Sequence, residues 1–143
     1  MDVQVKLGSW SEMQALAAPI RMEVFVIEQK VPLEEEIDAM DADCVHACAF
    51  DGQGRVVGTG RLLPDGHIGR MSVLKVYRAA GVGSALLKAL TNEAQVRGFL
   101  QVVLHAQTHA AGFYAAHGFE QEGEEFDEAN IAHVLMRKAL SLR

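Results

Sequence analysis

At 143 residues, half of them apolar, the chain is long enough for one hydrophobic core that folds without disulfide staples. Its 19 acidic and 13 basic side chains leave a formal net charge of −6, which excludes the broad basic surface that nucleic acid calls for. No run approaches the ~20 apolar residues of a membrane span, and the opening Met-Asp-Val-Gln-Val carries no basic leader, so residues 1–143 are expected to form a single cytoplasmic domain with no membrane partner.

Val3 to Leu7 alternates as a first strand, and Ser9 or Ser11 is placed to cap a helix running to about Ala18. Pro19 sits where a second helix would begin. That helix, Ile20 to about Gln29, would align Arg21, Phe25 and Glu28 on one side by their spacing of four and three. An acidic loop, Glu34 to Asp43, follows.

Val45 to Phe50, Arg55 to Leu63 and His67 to Val73 read as a three-stranded meander joined by Asp51-Gly-Gln-Gly54 and Pro64-Asp-Gly66. Cys44, His46 and Cys48, at alternate positions along and just before the first of these strands, share one face. At two-residue intervals of ~6 to 7 Å they cannot easily converge on one zinc, whose bonds to sulfur are ~2.3 Å, so no metal is expected. Buried, reduced thiols are the simpler reading.

Beyond Val73 the strand breaks into Leu-Lys-Val-Tyr-Arg78-Ala-Ala-Gly81-Val-Gly83-Ser84 and leads directly into an amphipathic helix. Val82, Ala85, Leu86, Ala89, Leu90 and Ala94 recur at helical spacing, and Gly98 ends the run. The first amides of a helix lack intrahelical acceptors and lie at the positive end of its dipole, so glycines that leave them uncovered build a cradle for phosphate. The window from Gly66 to Asn92 contains Arg70, Lys75, Arg78 and Lys88 and no acid, which favours a small phosphorylated ligand. The Gly-Lys-Ser/Thr of a Walker loop and the third glycine of a dinucleotide fingerprint are both absent.

Leu100 to His105 reads as a strand, Thr108 to Ala116 as a helix stopped by Gly118, and His133 to Lys138 as a last strand. The order β, α, α, β, β, β, α, β, α, β predicts an α/β fold, a mixed sheet layered between helices.

Arg78-x-x-Gly81-x-Gly83 after the strand-like Met71-Ser72-Val73 resembles the acetyl-CoA loop of the GNAT (GCN5-related) N-acetyltransferase superfamily. Phe113-Tyr114 near the end of a helix that stops at Gly118-Phe119 is similar to that family's second signature. Arg21 to Gln29, Glu36-Ile-Asp38, Asp41, His46, Gln107 and His133 further resemble its small, stand-alone bacterial ElaA-like branch. Ala129-Asn130-Ile131-Ala132-His133 departs from it, where the branch has something closer to Gly-Ile-Pro-His.

The resemblance implies a three-layer α/β sandwich and transfer of an acetyl group from acetyl-CoA to a primary amine by direct attack in a ternary complex. It places the pyrophosphate on the turn Arg78, Ala79, Ala80, Gly81, Val82, Gly83 and Ser84. The pantetheine arm would pair with main-chain groups near Met71 and Val73, with Gln107 and Phe113 alongside. Tyr114 would lie at the sulfur as the acid. An amine of pKa ~10.4 is neutral in only ~0.04% of molecules at pH 7, which corresponds to ~4.6 kcal/mol, so a general base or water chain is expected. Glu28, Glu36, His46 and His133 are the candidates.

The acid-rich stretches Glu34 to Asp43 and Glu120 to Glu128 would draw a cationic acceptor if they flank the cleft, which favours a small amine over a protein tail. The resemblance also admits a homodimer. Two other readings stay open: an acyl-CoA-binding sensor without catalysis, and a domain that binds another nucleotide at Arg78 to Ser84.

Overall fold

The computed structural model describes residues 2–141. Seven strands, β1 (Gln4–Gly8), β2 (Val45–Phe50), β3 (Val56–Leu62), β4 (His67–Val73), β5 (Gln101–Gln107), β6 (Glu120–Glu128) and β7 (Ile131–Ala139), form one sheet in the order β1-β2-β3-β4-β5-β7-β6. Every neighbouring pair is antiparallel except β4 and β5.

Helix α1 (Trp10–Arg21) covers one face and α3 (Val82–Val96) the other. The alternation of β2 shows this directly, since Ala47 and Ala49 join the α3 cluster while Cys48 packs with Met13 and Ala17 of α1. The α3 stripe Val82, Leu86, Leu87, Leu90 and Ala94 is almost fully buried. It lies close to the sheet because β3 offers glycine beneath it. A Cβ on Gly58 would stand 2.9 Å from Val82 Cγ1 and 3.1 Å from the Ser72 carbonyl.

Ser9 caps α1 in a reciprocal capping box with Glu12. Pro19 does not begin a new helix: it lies inside α1, which runs on into a π-helical segment, Met22–Glu28. There the Gln29 amide reaches back five residues to the Val24 carbonyl, and Lys30 turns the chain away at φ 62°. The wider turn separates Arg21 from Glu28, which the expected regular helix put on one side. The acidic loop contains a single turn, α2 (Leu33–Glu36), and a 3-10 turn, Ala39–Asp43.

Glu120 to Glu128, an acid-rich stretch to which the sequence pattern assigns no element, is the edge strand β6, paired with β7 on either side of a bulge at Gly123. The remaining short helix, α4 (Ala111–Ala116), follows a 3-10 turn at Thr108–Ala110 and sends Tyr114 into the α3 side of the core.

Gly58→Val is expected to lower stability by about 1–3 kcal/mol by overpacking the α3 contact. Urea unfolding would show this as a lower midpoint at unchanged slope.

Candidate active site

The parallel ladder between β4 and β5 consists of His67 opposite Val103 and Ile68 opposite Leu104. Beyond it β4 stays with β3 as far as Val73, and β5 stays with β7 as far as Gln107. The two halves of the sheet therefore part, and among the described residues no strand pairs with the facing edges of Gly69–Val73 and His105–Gln107. Backbone polar groups on such edges need partners, and an extended ligand can supply them. A bulge sets Arg70 and Met71 against the single Gly60 of β3, with Arg70 at φ 51°, which bends β4 along this opening.

At the outer end of the opening, β4 passes through a 3-10 turn, Lys75–Tyr77, into Arg78 and then Ala79 at φ 64° and Gly81 at φ 84°. Gly81 starts α3 with no side-chain cap, so the amides of Val82, Gly83 and Ser84 are left for an outside acceptor. Gly83 is pressed against Phe113, whose Cζ would lie 3.3 Å from a Cβ there. This packing joins α3 to α4.

Arg78 folds back on both sides. Its Nε donates to the Val73 carbonyl at 3.0 Å, and its Nη1 and Nη2 donate to the two carboxylate oxygens of Glu28 at 2.6 and 2.7 Å. That hydrogen bonding holds the Glu28 carboxyl below its ordinary range. The next residue, Gln29, forms a reciprocal amide pair with Gln107, at 3.2 and 2.9 Å, on the β5 side. The end of the π-helical segment thus touches both banks of the opening.

Gln107 lies opposite His133 on the α1 side of the sheet, since the alternate residues Leu104, Ala106, Val134 and Met136 belong to the α3 core. His133 Nδ1 donates to the Ile131 carbonyl at 2.7 Å. In the neutral ring this leaves Nε2, 3.7 Å from Glu128, as the basic nitrogen. Tyr114 is 9% exposed, edge-on to Phe113 and Phe119. Burial pushes its phenol up to about 12.

Glu36 and His46 stand elsewhere. Arg21 donates through Nε to Glu36 and through Nη1 and Nη2 to Asp41 at 2.7 and 3.0 Å. Arg61 bridges Asp41 at 2.8 Å and Asp38 at 2.9 Å, and Arg70 joins Asp38 at 3.1 Å. The result is a charge-balanced cluster of three guanidinium groups and three carboxylates under the connection from α2 to β2. His46 is 1% exposed beside it, donating from Nε2 to the Asp41 carbonyl at 2.9 Å under the Trp10 ring. Burial drives its pKa down. Arg70, expected as part of the basic window around the glycine turn, is spent on this cluster.

Cys44 donates to the Met40 carbonyl at 3.1 Å, while Cys48 lies against Thr59, so the two thiols and His46 have separate partners. Among the described residues no helix is long and apolar enough to cross a membrane.

A mixed sheet parted between β4 and β5, with a glycine-entered helix at the mouth, is the architecture of acyl-CoA N-acyltransferases. An acyl-CoA N-acyltransferase from Pseudomonas aeruginosa superimposes with a TM-score of 0.84 at 28% identity over 96% of this chain and all of that one. ElaA of Escherichia coli superimposes at 0.83 with 25% identity, over 96% of this chain and 99% of that one. The uncharacterized N-acetyltransferase YjcF of Bacillus subtilis is 44% identical over 123 residues, 83% of this chain and 87% of that one. Residues 11–140 match the family described as the acetyltransferase (GNAT) domain. The chain belongs to the GNAT family of acetyltransferases, whose members use acyl-CoA.

Gln29 escaped the sequence reading as a site residue, because nothing in the spacing of positions 29 and 107 links them. In sequence Glu128 is one acid among several, and only the pairing of β6 with β7 brings it to His133.

Asp41→Asn is expected to cost about 3–5 kcal/mol, since it removes the carboxylate shared by Arg21 and Arg61 and leaves the cluster's three guanidinium groups facing two carboxylates. The hydrogen bonds from Arg21 and Arg61 outweigh burial at Asp41, and the Arg61 hydrogen bonds dominate at Asp38, so both carboxyls titrate below their ordinary values. Their stabilisation is therefore full above an unfolded carboxylate pKa of about 3.9 and is lost as pH falls through the lower folded values. Thermal melts between pH 7 and pH 2 would show this loss in the wild type and a flatter profile in the variant.

Proposed function

We propose that this protein is an acetyl-CoA-dependent N-acetyltransferase acting on a small primary amine by direct attack in a ternary complex. The observation that carries the reading is the opening between β4 and β5, with uncovered helix amides at one end and Tyr114 on the adjoining α4.

In this reading the pyrophosphate of CoA takes the amides from Arg78 through Ser84. The pantetheine arm lies along the unpaired edge of β4 and takes hydrogen bonds from main-chain groups near Met71 and Val73, with Gln107 and Phe113 on the β5 side. The amine nitrogen attacks the thioester carbonyl carbon, the C–S bond breaks, and the amine proton passes to a base. His133 is assigned that role, because its Nδ1 is anchored and it neighbours Gln107 at the open end of β5. Glu36 Oε1 and His46 Nε2 are bound within the buried cluster, away from the opening. The acidic residues of β6, Glu128 among them, supply a negative surrounding for a cationic acceptor.

The phenol of Tyr114 is a donor that keeps its proton. With the phenol near 12 and a thiol near 8.5, full transfer to the departing sulfur would be uphill by about 5 kcal/mol. A hydrogen bond to the developing thiolate contributes about 1.5–3 kcal/mol without that transfer. Tyr114→Phe is accordingly expected to lower kcat roughly ten- to a hundredfold with little change in acetyl-CoA affinity. An unchanged kcat with a good acceptor removes Tyr114 from the mechanism.

The reading as a whole is tested by a thiol-release screen over a panel of amines, beside thermal shifts with acetyl-CoA, CoA, NAD and ATP. A ligand at 100 times its Kd stabilises by about 2.7 kcal/mol. Acetyl-CoA-dependent turnover with at least one amine supports the reading, and a shift with NAD or ATP but not with CoA overturns it.

A further inference from the structure

In the proposed reading the pyrophosphate lies on the turn that Arg78 opens, and Glu28 already occupies the Arg78 guanidinium. A guanidinium presents two edges on which a pair of parallel N–H groups can grip an oxyanion. In Arg78 the Nη1/Nη2 edge is filled by both carboxylate oxygens of Glu28, and the Nε edge has already given its Nε–H to the Val73 carbonyl. No two-donor edge is left for a phosphate. We infer that Glu28 is an internal competitor for the CoA pyrophosphate at Arg78, one that weakens cofactor binding and speeds the departure of product CoA. The inference rests on the assignment of the pyrophosphate to the turn from Arg78 to Ser84.

The surrounding structure makes the exchange local. Glu28 ends the π-helical segment, and Gln29 beside it remains tied to Gln107. The carboxylate can therefore swing off Arg78 by side-chain rotation while the backbone stays tethered. Glu28 is also partly open to solvent, its side chain 35% exposed, so its release strands no buried charge. When the ligand leaves, the carboxylate returns to the guanidinium. It then holds Arg78 and the positive-φ turn at Ala79 and Gly81 in place in the empty protein. A neutral ligand that makes no use of Arg78 has nothing to displace.

The test is binding by titration calorimetry and dissociation by stopped flow, with CoA and with pantetheine, which lacks the pyrophosphate. The proteins are wild type, Glu28→Gln, Arg78→Gln and the double variant. A partly exposed ion pair is worth about 0.2–1 kcal/mol, so Glu28→Gln is expected to bind CoA up to about fivefold more tightly and release it more slowly. Pantetheine binding should stay the same. In the Arg78→Gln background the Glu28 substitution should have no effect.

CoA affinity that is unchanged or weaker in Glu28→Gln overturns the inference while leaving the cofactor assignment standing. A tightening that persists without Arg78 also overturns it, because the carboxylate would then act as a distant charge. Wild-type protein that binds no CoA overturns the cofactor assignment itself.

Discussion

Among the described residues, two residue pairs of parallel ladder, His67 with Val103 and Ile68 with Leu104, are all that pair the two antiparallel halves of this sheet. A longer ladder would satisfy the edges of β4 and β5 internally and leave nothing for a ligand to pair with. Because it stops, the first half carries a bulged strand and a turn rich in positive φ into α3, while the second half ends at Gln107 and turns into α4. The contact of Gly83 with Phe113 then locks the two helices over the gap. The separation is thus held open from behind by packing, and its front is spanned by the hydrogen bonds that Glu28 accepts from Arg78 and that Gln29 exchanges with Gln107.

Those two side chains owe their position to the buried ion cluster. Arg21 is the last residue of α1, immediately before the π-helical segment, and it is anchored to Glu36 and Asp41 from the following connection. Burying charges is costly, and a balanced set with several hydrogen bonds per group is the arrangement that offsets this cost. Its benefit here is geometric. It fixes where the π-helical segment starts, and seven residues later the chain arrives at the opening with Glu28 facing one bank and Gln29 the other.

Local pattern made much of this fold legible. The apolar spacing of Val82 to Ala94, the capping serine at Ser9 and the glycine turn before α3 each depend on neighbours within a few residues, and each formed as expected. Three features did not yield to the same reading. Pro19 looked like a boundary because proline lacks an amide, but a widening turn follows it and the helix continues. β6 carried no strand pattern because six of its nine residues are acidic; as an edge strand exposed on both faces, it needs no alternation. Glu36 and His46 looked like free titrating groups because their partners are brought together only by tertiary structure. The candidate site divides in the same way. The glycine turn and Tyr114 announce themselves locally, whereas the pairing of position 28 with 78 and of 29 with 107 belongs to the fold.

The acidic edge has a consequence for the sheet as a polymerising surface. An unpaired outer strand is a template on which another chain can grow by backbone hydrogen bonding. β6 places six of the chain's 19 acidic residues along nine positions of that template, and Gly123 kinks it midway. A second copy approaching with its own β6 would bring like charge against like charge and a bent register against a bent register. The outermost strand is therefore also a fence: the concentration of like charge along it repels the chain's own kind.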